Sequence, residues 1–153
     1  MDWHDARAVE LRAVMDDEMT ERYRGRHDGD PDFPRKADVA FAVDAADVAR
    51  TVLLVDENDI AVAHAALRML RGRLEVKRVI VADGYRGAGL GRRIMAAAEG
   101  VARELGYDSI ILQTGDRQPE AVALYQSIGY RPIPIYEPYV AITNSLCFEK
   151  RLA

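Results

Sequence analysis

The stretch from Val76 to Gly91, VKRVIVADGYRGAGLG, constrains the fold more than any other part of the chain. Val76, Val79, Ile80 and Val81 are β-branched and stop at Asp83-Gly84, which reads as a strand and the turn that ends it. From Leu90 onward the apolar residues take up helical spacing. Between the two elements lie Gly87, Gly89 and Gly91. Glycine has no Cβ, so such a turn can bring backbone N–H groups close around an anion at the positive end of the following helix. Arg86, Arg92 and Arg93 add side-chain charge. Two readings fit this spacing: a phosphate cradle, or a tight strand-to-helix turn that binds nothing.

A length of 153 residues suits a single domain, 1–153, able to bury a core without disulfides or a structural metal. The formal charge of -4 argues against a general nucleic-acid binder and is compatible with a cationic partner. The one cysteine, Cys147, excludes an internal disulfide and any cysteine zinc cluster. Set between Leu146 and Phe148, it reads as a buried structural thiol and not as a nucleophile. His4, His27 and His64 show no metal-ligand spacing. The N-terminus MDWHDARAVE is too acidic for a signal peptide and no apolar run approaches a membrane span, so a cytoplasmic chain without a membrane partner is expected.

Leu11, Met15, Met19 and Tyr23 recur every four residues and predict an amphipathic helix from about His4 to Arg24. Gly25 to Pro34 reads as a loop whose aspartates, Asp28, Asp30 and Asp32, are those of an ordinary solvated surface. Asp38 to Arg50 fits either a short helix or an irregular approach to the sheet. Thr51–Val55 and Ile60–Met69 flank the polar turn Asp56-Glu57-Asn58-Asp59 as an antiparallel hairpin, and the strand from Val76 completes a meander. Leu90 to Leu105 predicts a helix that buries Ile94, Ala97, Val101 and Leu105 and stops at Gly106. A strand at Ser109–Gln113, joined to Val76–Ala82 through that helix, should run parallel to it. Pro119 opens a last helix that Gly129 stops. Tyr130–Tyr136 and Ser145–Leu152 read as a final hairpin, with Pro132 and Pro134 marking an edge or a bend.

The residues separate the classes that use a glycine turn. A Walker loop would end in Gly-Lys-Ser/Thr, whereas the sequence here is Gly91-Arg92-Arg93. A dinucleotide fold would place the turn after the first strand of a βαβ unit, not after a meander. Tyr85-Arg86-Gly87-Ala88-Gly89-Leu90-Gly91-Arg92 resembles the Arg/Gln-x-x-Gly-x-Gly/Ala signature of the GNAT superfamily of N-acetyltransferases. Glu120 through Tyr130, EAVALYQSIGY, is similar to that family's second signature. The resemblance covers about Leu74 to Pro132, and Ser145 to Lys150 fits the family's last strand. It implies an α/β chain with a central mixed sheet splayed at an acetyl-CoA site and flanked by helices. It also implies acetyl-CoA as cosubstrate, with its pyrophosphate on the N–H groups of Arg86, Gly87, Ala88, Gly89, Leu90, Gly91 and Arg92. The pantetheine arm would lie along Val79, Ile80 and Val81, with Gln118 touching the cofactor.

Acetyl transfer to an amine needs a neutral amine, a polarised thioester and a proton for the departing thiolate. An alkyl ammonium titrates near ~10.4, so a base must take its proton. The resemblance points to Glu75 for that role; a salt bridge to Lys77 or Arg68 is the competing reading. Gln113 stands where some relatives have a glutamate and cannot act as a base. Tyr125, within the second signature, is expected to protonate the thiolate, against the reading of a packed helical tyrosine. Tyr23, Tyr136, Glu137 and Tyr139 are candidate walls for a small-molecule or peptide amine acceptor. The alternative to an enzyme is a catalytically silent acyl-CoA-binding or sensing module of the same fold. A homodimer is compatible with the sequence.

Overall fold

A computed structural model describes residues 2–26 and 29–152, so the loop positions His27 and Asp28 lie outside the described residues. Two helices come first, α1 (Ala6–Arg22) and α2 (Phe33–Phe41), and a 3-10 turn at Ala45–Asp47 follows. The meander is β1 (Val48–Val55), β2 (Ala61–Leu70) and β3 (Arg73–Val81). Next come α3 (Leu90–Glu104), β4 (Ser109–Gly115), α4 (Pro119–Ser127), β5 (Arg131–Ile133) and β6 (Ser145–Arg151). The sheet runs β1-β2-β3-β4-β6-β5, and β3 with β4 is its parallel pair. This is the mixed α/β sheet that the sequence predicts. The proline-bearing β5 lies at its edge, where a missing N–H costs no ladder bond.

The helices divide between the two faces. Ile94, Met95, Ala98 and Ala102 of α3 pack on Ala63, Leu67, Leu74 and Val76, and α4 adds Tyr125 to this main core. The buried face of α3 is therefore turned somewhat from the predicted one: Ile94 is buried as expected and Val101 packs half-buried on the core, but the fully buried alanines are Ala98 and Ala102 and not Ala97. Glu99 makes the turn tolerable. Its carboxylate is buried on that face, accepting from Lys150 Nζ at 2.8 Å and from the Tyr130 hydroxyl at 3.1 Å. On the other face Leu11 and Met15 of α1 meet Ala61 and Ile80, and Ala40 of α2 meets Tyr139 and Ile142.

Two irregularities in β3 shape the cleft beside it. Lys77 faces Ala66 and Ile80 faces His64, so β3 spends Arg78 and Val79 against Ala65 alone. This is a β-bulge, with Arg78 in the left-handed region at φ 57. The extra residue switches the alternation of side chains, so that Val76 before it and Val79 and Val81 after it all contact the α3 core. His64 pins the bulge. Its Nδ1 lies 2.6 Å from the Arg78 carbonyl and its Nε2 3.0 Å from the Arg12 guanidinium. A carbonyl only accepts and a guanidinium only donates, so the ring is neutral with its proton on Nδ1. Burial agrees, lowering the His64 pKa to about 4.

The second irregularity is a parting of strands. β3 pairs with β4 at Glu75–Ile111 and Val76–Leu112, and no further pair follows. β4 instead continues along β6 from Ser109–Arg151 to Gly115–Ser145. The β4-side edge of Val79 to Val81 is therefore left without a strand partner.

Candidate active site

The cleft opened by this parting has two chambers that share a wall. One, of about 470 Å³, is lined by Val79, Ile80, Val81, Arg86, Gly87, Gly89, Leu90, Gly91 and Gln118, together with Tyr125. Most residues singled out in the glycine turn and the arm strand thus meet in one groove; Ala88 and Arg92 lie outside its lining. Arg92 reaches instead to the Ser127 hydroxyl at 3.0 Å. The other chamber, of about 970 Å³, lies under α1 and α2 and includes Glu75, Lys77, Tyr23, Phe41, Gln113 and Tyr139. Val79, Gln118 and Tyr125 line both.

The turn is built to present backbone donors. Gly87 and Gly89 have φ of 81 and 80, a region other residues enter at a cost, and Gly89 is the N-cap of α3. The first internal bond of α3 is Arg93 N–H to the Gly89 carbonyl at 3.2 Å. The preceding first-turn N–H groups of Leu90, Gly91 and Arg92 therefore point out of the helix end without backbone acceptors, where the macrodipole favours an anion. Gly91 has a packing reason as well: a Cβ there would lie 2.9 Å from Leu124 Cδ2. The Arg86 side chain is already engaged. It grips both carboxylate oxygens of Glu18 on α1, at 3.0 and 2.6 Å, and its Nε donates to the Val81 carbonyl.

Tyr125 stands at the junction of the chambers. Its ring packs against Tyr130 and Phe148, with centroids 5.8 and 6.3 Å away. No described residue hydrogen-bonds its hydroxyl, although the residue lines both cavities. Burial pushes the phenol well above its usual range, so the group arrives protonated.

Glu75 is fully buried and heavily engaged. Its Oε1 accepts from Arg68 Nε at 2.7 Å and from the Tyr139 hydroxyl at 3.3 Å, and its Oε2 accepts from the Tyr136 hydroxyl. Of the two cations considered as partners, Arg68 takes the ion pair, while Lys77 Nζ donates to the Tyr139 hydroxyl. Burial lowers the Lys77 pKa to about 8. Gln113 donates to Ser145 Oγ at 2.9 Å. Of the candidate walls, Tyr23 and Tyr139 line the larger chamber, Tyr136 braces Glu75 from outside the lining, and Glu137 is exposed. Asp30 reaches the chamber rim, and Asp32 is exposed. Cys147 is buried on β6, where burial raises its pKa and keeps it a thiol.

Sequence reasoning passed over Glu18, His64 and the placement of Lys77. Lys77 could have been found by alternation, being two residues from Glu75 on one face; the other two depend on contacts across 68 and 14 residues that no local pattern signals.

A mixed sheet whose central parallel pair splays beside a glycine-rich helix N-terminus places the protein in a class defined by an open strand edge next to free backbone donors. Residues 11–130 match the family described as acetyltransferase (GNAT) family, and the chain belongs to it. An IAA acetyltransferase of Azospirillum brasilense is 37% identical over 78 residues, which is 51% of this chain and 51% of that protein. The chain thus spans about half the length of that curated relative. A Klebsiella pneumoniae protein named as an acyl-CoA N-acyltransferase superposes with a TM-score of 0.77 at 26% identity, covering 100% of this chain and 94% of the other. A Bacillus anthracis protein named as a streptothricin acetyltransferase, solved in complex with acetyl coenzyme A, shares the fold at a TM-score of 0.57 and 17% identity, over 66% of this chain and 61% of its own.

Proposed function

We propose that the protein moves an acetyl group from acetyl-CoA to a primary amine by direct attack of the amine on the thioester. One observation supports this reading: the groove of free backbone donors and the larger chamber share Tyr125 as a lining residue, and its hydroxyl has no partner among the described residues. The N–H groups of the turn and of the first turn of α3 would hold the pyrophosphate. The unpaired edge of Val79 to Val81 would hydrogen-bond the amide-bearing arm as a strand would. An acceptor in the larger chamber would then approach the carbonyl from the α1 and α2 side.

In the reaction the ammonium first gives a proton to Glu75, directly or through water; the neutral nitrogen then bonds to the carbonyl carbon and the C–S bond breaks. Tyr125 delivers its proton to the thiolate as negative charge gathers on sulfur, and the nitrogen's second proton passes through water to restore Tyr125. The chain's own geometry also favours a second reading. Glu75 is closed in by Arg68, Tyr136 and Tyr139, as it would be in a silent acyl-CoA-binding module whose carboxylate is purely structural.

Thiol release from acetyl-CoA over a panel of amines separates the two. Turnover of some amine is expected, and Tyr125→Phe should slow it on the order of a hundredfold. A rise in melting temperature with CoA and no turnover of any amine would favour the binding module. No response to CoA at all would remove both.

A further inference from the structure

We infer that the larger chamber selects amines bearing an anionic group, such as a carboxylate, a few bonds from the amine, and that Lys77 holds that group. The inference rests on the acetyl-transfer reading for its geometry. Lys77 lies on β3, 8% exposed, and lines the chamber. Glu75 favours the ammonium at a distance but is paired directly with Arg68 and makes no ion pair with Lys77. Among the described residues no carboxylate lies within ion-pair distance of the Lys77 ammonium. One of its three N–H donors goes to the Tyr139 hydroxyl, and the Tyr139 and Phe41 rings stand 4.8 and 5.8 Å from Nζ. Those rings offset part of the cost of burying a cation and supply no hydrogen-bond acceptor.

The local charge balance is therefore positive. Arg68 and Lys77 face the one carboxylate of Glu75, and Arg78 is balanced by Asp16. Asp30 is held by Lys36 at 2.8 Å. Asp38 stands exposed at the mouth, where water screens it, whereas Lys77 is buried and its field is not screened. A carboxylate arriving in the chamber would meet two free donors and an unbalanced charge, the arrangement in which a charge-assisted bond is strongest. Lys77 precedes Val79 by two residues, so it lies within roughly 7 Å along β3 of the strand edge that would carry the reactive arm. That distance suits a compact amino acid and not a polyamine whose charges are all positive. Phe33, Phe41 and Ile142 provide an apolar wall for its side chain.

The test compares apolar amino acids with their decarboxylated amines, phenylalanine with phenethylamine and leucine with isoamylamine, in wild type, Lys77→Met, Lys77→Gln and Lys77→Arg. Melting temperatures with CoA check that each variant is folded. Wild type should favour the amino acid in kcat/KM by about ten- to a hundredfold. The ratio should collapse toward one in Lys77→Met and Lys77→Gln and partly survive in Lys77→Arg. Calorimetry with N-acetylphenylalanine on the CoA-saturated protein gives a readout independent of chemistry. Binding that depends on Lys77, without turnover, would uphold this inference and sink the acetyl-transfer reading. Turnover indifferent to the carboxylate, a preference that survives in Lys77→Met, or neither turnover nor binding of any amino acid would overturn it.

Discussion

His64 shows how a single buried side chain governs the geometry of the strand that borders the cleft. Neutral, it accepts from Arg12 and donates to the Arg78 carbonyl; protonated, it would confront the Arg12 guanidinium with a second cation. Its folded pKa of about 4 lies below the ordinary 6.5, so between those values the unfolded chain binds more protons and stability rises with pH. Acidification from 6.5 through 4 should therefore remove up to about 3 kcal/mol of stability on this account. Urea midpoints measured across that window should show the fall, and His64→Gln should flatten it. Glu75 gives a second prediction at this scale. Replacing it with Gln leaves the buried Arg68 without its counter-charge, and unfolding free energy should drop by about 3 kcal/mol. If Glu75 also takes the proton, turnover of the folded fraction of Glu75→Gln should fall well beyond what the lost stability explains.

Among the elements, the end of β4 depends on a missing side chain. A Cβ on Gly115 would stand 1.9 Å from the Tyr23 hydroxyl and 2.7 Å from its Cζ, and that hydroxyl also accepts from the Arg117 N–H. Gly115→Ala should push the end of α1 off the strand and lower stability by about 1–3 kcal/mol. Tyr23→Phe in the same chain should recover part of the loss, a coupling that a double-mutant cycle in urea would measure. Such a contact joins positions 92 residues apart and leaves no trace in local sequence. What was legible were the elements whose signals are local: the β-branched run into glycines, the stops at Gly106 and Gly129, and Pro119 at the head of α4. The bulge at Arg78 was hidden because a charged residue at that position preserves the look of an alternating strand. The inward turn of α3 was hidden because Glu99 reads as surface until Lys150 and Tyr130 are known to surround it. α2 escaped assignment since only Ala40 of its nine residues is buried, and so small a face leaves no stripe.

At the scale of the whole molecule, the two faces of the sheet are unequally secured. α3 and α4 rest on the main core, whereas α1 is tied across the cleft largely by exposed ion pairs: Arg7 to Asp59, Asp16 to Arg78, Glu18 to Arg86 and Arg22 to Glu120. Pairs of this kind are individually weak in water. Hydrogen exchange should accordingly release the amides of α2 and the end of α1 well before those of β2, whose first eight residues are buried. Two of these ties, Glu18 with Arg86 and Arg22 with Glu120, line the groove proposed for the pyrophosphate, and Glu18 holds the arginine of the glycine turn itself. On the proposed function it makes the chain its own competitor: an incoming pyrophosphate would have to share or displace a carboxylate that already occupies the arginine. Added salt loosens the resident pair as well as the arriving one, and the two effects oppose each other. CoA affinity should then fall less steeply with ionic strength in wild type than in Glu18→Gln, which calorimetry over a salt series would resolve.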